Sequence, residues 1–201
     1  LCPASCVTRI AAAKTALDSL EKRSSAWQAE KAKLQSAQAA LVKSLAGGSG
    51  ESTISDSQIK VAFSARGLII TITADTVLFD PGSATIRSEG QAILDRIAPQ
   101  LVALPNAIAV EGHTDNVPIS GTYPSNWELS TARASSVLRL FIEHDGLPPS
   151  RGTASGYADQ RPLASNATAA GRAKNRRVEI VVMAAVADPN VTEPEAVAAA
   201  N

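Results

Sequence analysis

The sequence predicts an α+β fold: a sheet with helices on one face, preceded by a long N-terminal helix. Three observations carry the prediction. Residues 8–46 contain no proline or glycine and are dominated by alanine, lysine, glutamine and leucine, the composition of a long helix. From Gln58 the apolar period changes to two, the signature of strands. Beyond that point, apolar strand runs alternate with two stretches of helical spacing, which places helices against a sheet.

The N-terminal helix comes first. At 1.5 Å per residue, about 39 residues give a rod of roughly 60 Å. Cys6, Ala13, Leu20, Trp27, Leu34 and Leu41 fall seven apart, and Ile10, Leu17, Ser24, Lys31, Gln38 and Leu45 form the companion seam. This reads as a coiled-coil stalk over 1–46 that pairs with a second copy of the chain. Ser24, Lys31 and Gln38 weaken the second seam and leave open a single amphipathic helix packed on something else. The run GGSGESTISDS then stops the helix, and 47–57 reads as a flexible linker.

The remaining elements follow in order within a domain over 58–184. IKVAFSARGLIITIT reads as a hairpin turning at Ala65-Arg66-Gly67, and Asp80-Pro81-Gly82 as a turn. Ile93, Leu94, Ile97 and Leu101 mark a helix from Ser88 to Leu104, bent at Pro99. AIAVEGH is a buried strand. Ser125 with Glu128 three residues on forms a capping box, and the helix it opens runs to about Asp145, where Gly146 and Pro148 end it. TASGYA and RRVEIVVM are two further strands, and 185–201 reads as a disordered acidic tail.

Composition narrows the function. A chain of 201 residues holds one ordinary core plus an appendage. Lys+Arg and Asp+Glu are both 19, so nothing in the overall field calls for nucleic acid. No stretch approaches the ~18–20 uninterrupted apolar residues of a membrane span. The chain opens on Leu1 rather than Met, and a processed or truncated chain is expected, with a span or lipid anchor conceivable upstream. Cys2 and Cys6 fit either unpaired thiols or an intermolecular disulfide; lipidation fits less well, because Pro3 stands where an aliphatic residue is wanted.

Enzyme signatures are sparse. SQIK at 57–60 has the S-x-x-K spacing but sits where a strand begins, and no G-x-S-x-G, P-loop or H-E-x-x-H motif is present. NAT and NVT are formal glycosylation sequons of little weight in isolation. His144, beside Asp145, reads as a solvated helix-terminal residue. Glu111, His113 and Asp115 alternate along one strand, and carboxylate, imidazole, carboxylate is a conceivable metal set for a wall hydrolase. A convincing fourth ligand is missing, so no metal, no cofactor and no catalytic residue is expected.

Five separated motifs, LFDPGSATI, VEGHTDN, NWELSTARASSV, GYADQRPLASN and GRAKNRRVEI, resemble in order those of the OmpA-like peptidoglycan-binding domain, over about residues 68 to 183. DNVPISGTYPSNWELS is similar to the version in MotB-type flagellar stator proteins. The resemblance implies a mixed βαβαβ sheet with helices on one side, no catalysis, and non-covalent attachment to the cell wall in the periplasm. A MotB would also carry a membrane span with a proton-bearing aspartate, which this sequence does not contain. A wall anchor is therefore the first expectation, and the periplasmic part of a stator the second, with a membrane-anchored or stator partner.

One pair of charges fits that role physically. Asp115 leaves the end of a strand and Arg133 sits two turns into the next helix, so both can face the crevice beyond the strand's carboxyl end. A carboxylate and a guanidinium held apart recognise a zwitterion, such as the free end of diaminopimelate in the peptidoglycan stem peptide. A plain Asp115–Arg133 salt bridge remains the alternative. By resemblance, further contacts come from Thr114, Asn116 and Asn126 and from the Asn175-Arg176-Arg177 end of the last strand, with Leu129 and Ala132 in the wall. Either Arg176 or Arg177 would close the pocket, unless they pair with Glu179, Asp159 or Glu111.

Overall fold

The computed structural model describes residues 4–46, 58–73 and 77–186, with side chains of the first helix described from residue 12 to residue 45. The expected linker at 47–57, nearly all of the expected tail and the side chains of Cys2 and Cys6 lie outside the described residues. The elements are α1 (Ala4–Ala46), β1 (Ile59–Ser64), β2 (Gly67–Thr73), α2 (Ser88–Ala103), β3 (Ile108–His113), α3 (Asn126–Glu143), β4 (Gly152–Gly156), α4 (Ala169–Asn175) and β5 (Arg177–Met183). Among the described residues no helix is long and apolar enough to cross a membrane.

The strands form one sheet in the order β1-β2-β5-β3-β4. β3 and β4 are parallel, joined through α3, while the other neighbours are antiparallel. The last strand in sequence is thus the middle strand in space, with Ile180 opposite both Ile70 and Val110. Period two sorts the side chains: Leu68, Ile70, Ile72, Val178, Ile180, Val182, Ile108 and Val110 all join the main core. Ile93, Leu94, Ile97 and Leu101 of α2 and Ala134, Val137 and Phe141 of α3 pack onto the same face. The expected mixed sheet with helices on one side is what forms.

Two glycines set how closely α3 approaches. A Cβ on Gly112 would lie 2.0 Å from the Ser130 carbonyl oxygen, and one on Gly156 would lie 2.2 Å from Thr131 Oγ1. Only residues without a side chain let the helix backbone descend this far onto β3 and β4. The descent fixes the N-terminal half of α3 over the ends of those strands. α2 runs through Pro99 rather than ending there, which forfeits the hydrogen bond the missing N–H would have given to the Asp95 carbonyl.

α1 is the long helix expected, but its seam is divided. Leu34 and Leu41 belong to the domain's own core, with Ala37 and Leu45 beside them, and cover β1 through Ile59, Val61 and Phe63. Trp27 is buried as well and meets the Phe63 ring at 6.0 Å between centroids. Polar ties hold the helix down: Asn106 donates to Glu30 Oε1 at 2.5 Å and to the Met183 carbonyl at 2.8 Å, and Lys33 donates to Asn106 Oδ1 at 3.1 Å. Arg96 donates to the carbonyls of Ser44 and Leu45, satisfying the C-terminal end of the helix. From Trp27 onward the helix is therefore the third member of the helical layer, packed on its own domain rather than standing off as a stalk. Leu17 and Leu20, on the preceding turns, stay exposed.

Candidate functional site

Ser125 starts α3 as the capping pattern predicts: its Oγ accepts the Trp127 N–H at 3.1 Å and donates to Glu128 Oε2 at 2.5 Å. Position i, i+3, i+7 from this start places Asn126, Leu129 and Arg133 along one face. That face looks across a crevice at the end of β3, and the crevice is an open pocket of about 290 Å³. Its lining comprises Pro81 and Gly82 of the turn before α2, Thr114, Asp115, Val117 and Ile119 after β3, Asn126, Leu129 and Arg133 of α3, and Arg172 and Arg176 in and just beyond α4.

Each charged group in the pocket is held. Asp115 is buried; Oδ1 accepts the Val117 N–H at 3.0 Å, and Oδ2 accepts Arg176 Nη1 at 2.5 Å. Arg133 is 2 % exposed, donates from Nε to the Ser83 carbonyl at 2.9 Å and from Nη2 to the Asp80 carbonyl at 3.2 Å, and lies over the Phe79 ring at 5.1 Å. It thereby fastens the Asp80–Ser83 turn that supplies the Pro81-Gly82 wall. Arg172 donates to the Asn166 carbonyl at 2.9 Å. Among the lining residues, three guanidinium groups face one carboxylate.

Two neutral groups complete the lining. Asn126 donates to the carbonyls of Asp115 at 3.2 Å and Val117 at 2.9 Å, pinning the loop after β3 to the start of α3. Its Oδ1 is buried without a hydrogen-bond partner among the described residues, and so is Thr114 Oγ1. Buried polar atoms in native folds are nearly always paired. Both residues line the pocket.

The structure gathers Thr114, Asp115, Asn126, Leu129, Arg133 and Arg176 in the pocket and leaves Asn116, Ala132, Asn175 and Arg177 out of its lining. Asn116 is exposed in the loop and does not line it. Arg177 points to the opposite face of the sheet, where it is buried and donates to Glu179 Oε1 at 2.6 Å, so Arg176 rather than Arg177 closes the pocket. Ala132 is likewise not part of the wall. Asn175 is a clamp: its Oδ1 accepts the N–H groups of Leu163 and Ala164, and its amide donates to the Ala164 carbonyl and Asn166 Oδ1. Arg172 was missed because α4 was missed. The signal was present, since Thr168 caps Gly171 N–H at 3.0 Å and Arg172 and Arg176 stand one helical turn apart.

The strand trio Glu111, His113 and Asp115 does not assemble. β3 ends at His113, and the Thr114 N–H donates to the Ala158 carbonyl, turning Asp115 into the pocket. Glu179 takes the third place beside Glu111 and His113. Both carboxylates are already neutralised, Glu111 by both terminal nitrogens of Arg66 and Glu179 by Arg177. His113 stacks on Tyr157, which carries Arg161 on its ring at 3.6 Å. Burial, reinforced by the charges of Arg177, Arg161 and Arg66, pushes the imidazole down to about 3. This is a neutral histidine inside an ion-pair network, not a trio poised for hydrolysis.

The OmpA family model matches residues 78–176. Motility protein B of Bacillus subtilis (strain 168) is 43% identical over 128 residues, covering 63% of this chain and 49% of that protein. The chain spans about half the length of the curated relatives it matches first. Among solved structures, the cell wall anchor of the T6SS from Pseudomonas aeruginosa is 42% identical, with a TM-score of 0.63 over 72% of this chain and 96% of that one. A MotB-like protein from Desulfovibrio vulgaris, 25% identical, superposes with a TM-score of 0.66 over 82% of this chain and 95% of its own.

Proposed function

The chain belongs to the OmpA family, and from that premise we propose that it is a binding module that holds peptidoglycan non-covalently through the pocket at the end of β3. The observation that carries the reading is the charge content of the lining, where one carboxylate, Asp115, meets three guanidinium groups, Arg133, Arg172 and Arg176, of which Arg176 donates a hydrogen bond to it at 2.5 Å. A zwitterionic end, an ammonium and a carboxylate on one carbon, engages Asp115 through the former and the guanidinium groups through the latter. Free diaminopimelate of the stem peptide has that chemistry. Thr114 Oγ1 and Asn126 Oδ1 are the acceptors that remain for its donors.

The binding is anchoring rather than catalytic, and its place is the periplasm or cell envelope. Support comes from the relatives, a motility protein and a cell wall anchor. The likeness to Motility protein B over the same domain favours, as a second reading, the periplasmic part of a stator. Leu17 and Leu20 are the exposed leucines of the seam among the described residues, and they are where a second copy of the chain would pair. Two linked pockets would raise wall avidity by ~10²–10⁴ where both engage.

The test compares walls. Sedimentation of the purified chain with diaminopimelate-type and lysine-type sacculi should show binding to the first and at least about tenfold weaker binding to the second, because lysine keeps the ammonium and lacks the carboxylate. Equal sedimentation with both would mean the pocket does not read the zwitterion.

A further inference from the structure

At the opposite end of α3 from the pocket, Asp95 of α2 and His144 and Asp145 beyond α3 bring one ligand atom each within 4.8 Å of one another. His144 Nδ1 stands 3.1 Å from Asp145 Oδ1 and 3.6 Å from Asp95 Oδ1. An 18-residue helix separates this cluster from Asn126 by about 27 Å, so it is no part of the pocket.

We propose that Asp95, His144 and Asp145 form a binding site for a divalent transition-metal cation of the zinc type. The Asp145 side chain is 10% exposed, and its Oδ2 is buried with no hydrogen-bond partner among the described residues. Asp95 Oδ1 is in the same condition. No lysine or arginine among the described residues pairs with either carboxylate, unlike Glu111 and Glu179, which Arg66 and Arg177 neutralise. Two carboxylates thus converge with buried, unpaired oxygens and only an imidazole between them. Burial, and then the charge of Asp145, raise the Asp95 carboxyl against the pull of His144, which is the direction expected where a counter-charge is lacking.

The surroundings favour a cation further. α3 ends at Glu143, so its last carbonyls direct the negative end of the helix dipole at this spot. One imidazole with two carboxylates suits zinc and its neighbours, whereas calcium and magnesium prefer oxygen ligands throughout. The His144 ring is 56% exposed, which gives an entry path and leaves remaining coordination positions to water. Bound there, a cation would staple the end of α3 to the middle of α2.

The experiment uses the full chain with Cys2→Ser and Cys6→Ser, stripped with chelator, so that thiols contribute nothing. Calorimetric titration with zinc should show uptake of one ion per chain, and the thermal midpoint should rise by about 5–10 °C at a free zinc concentration near 100 times Kd. His144→Ala and Asp145→Asn should each abolish both effects with an unchanged circular dichroism spectrum. Absence of stoichiometric uptake would overturn the proposal. So would uptake that survives His144→Ala and disappears in His113→Gln, since the ion would then lie with Glu111 and Glu179.

Discussion

Asp115 and Arg176 are joined by a 2.5 Å hydrogen bond from Nη1 to Oδ2 within the pocket lining, linking the loop after β3 to the end of α4. The carboxylate is therefore fixed before any ligand arrives, with its other oxygen held by the Val117 N–H. Fixed charges lose little on binding, which is how a small pocket gains selectivity.

Asp115→Asn tests the anionic half. The amide keeps an oxygen for the Val117 N–H and removes the charge, so the domain should fold and wall binding should weaken by ~10-fold or more, for a charge-assisted contact of about 1.5–3 kcal/mol. Sedimentation with diaminopimelate-type sacculi measures it, and binding unchanged within twofold would remove Asp115 from the site.

Arg133→Ala should do two things, because Arg133 both lines the pocket and fastens the Asp80 and Ser83 carbonyls. Denaturant unfolding should show a loss of about 1–3 kcal/mol, and the preference for diaminopimelate over lysine walls should largely vanish. Limited proteolysis near Pro81-Gly82 should quicken. Retention of the preference would assign the carboxylate to Arg172 or Arg176.

The divided seam of α1 predicts opposite behaviour for Leu34, buried in the core, and for Leu17 and Leu20, which are exposed. Leu34→Ala should cost the domain about 2–5 kcal/mol, since that side chain is fully buried in the core. Leu17→Glu with Leu20→Glu should leave stability nearly unchanged and convert a dimer to a monomer by light scattering. A monomer in the unaltered chain would show that the exposed turns do not pair.

His113 predicts an acid sensitivity. Its folded value of about 3 lies below the ~6.5 of an unfolded histidine, so between those values the unfolded chain binds more protons. Stability is fully present above about 6.5 and falls as pH drops through the window, by up to about 1.4 kcal/mol per unit. Urea unfolding between pH 6.5 and 5, where most carboxylates do not yet titrate, should show this slope in the unaltered chain. The slope should be absent in His113→Phe.

Every strand and the three long helices were legible in the sequence because their causes are local, whereas the seven-residue α4 was not. Ser125 and Glu128 announce the start of α3, the alternation around Ile70 and Ile180 announces strands, and 39 residues without a helix breaker announce α1. Asp115 and Arg133 could also be placed at the same crevice, since a strand end and the second turn of the following helix are neighbours whatever else the chain does. What the sequence could not decide is which face or partner each remaining group meets. Arg176 and Arg177 differ by one residue, and only the pairing of β5 between β2 and β3 sends the first to the pocket and the second to Glu179. Leu34 and Leu20 are equivalent in a heptad, yet one fills the core and the other meets solvent. The uncovered apolar face of β1 and β2 decides between them, and that face exists only once the sheet has formed.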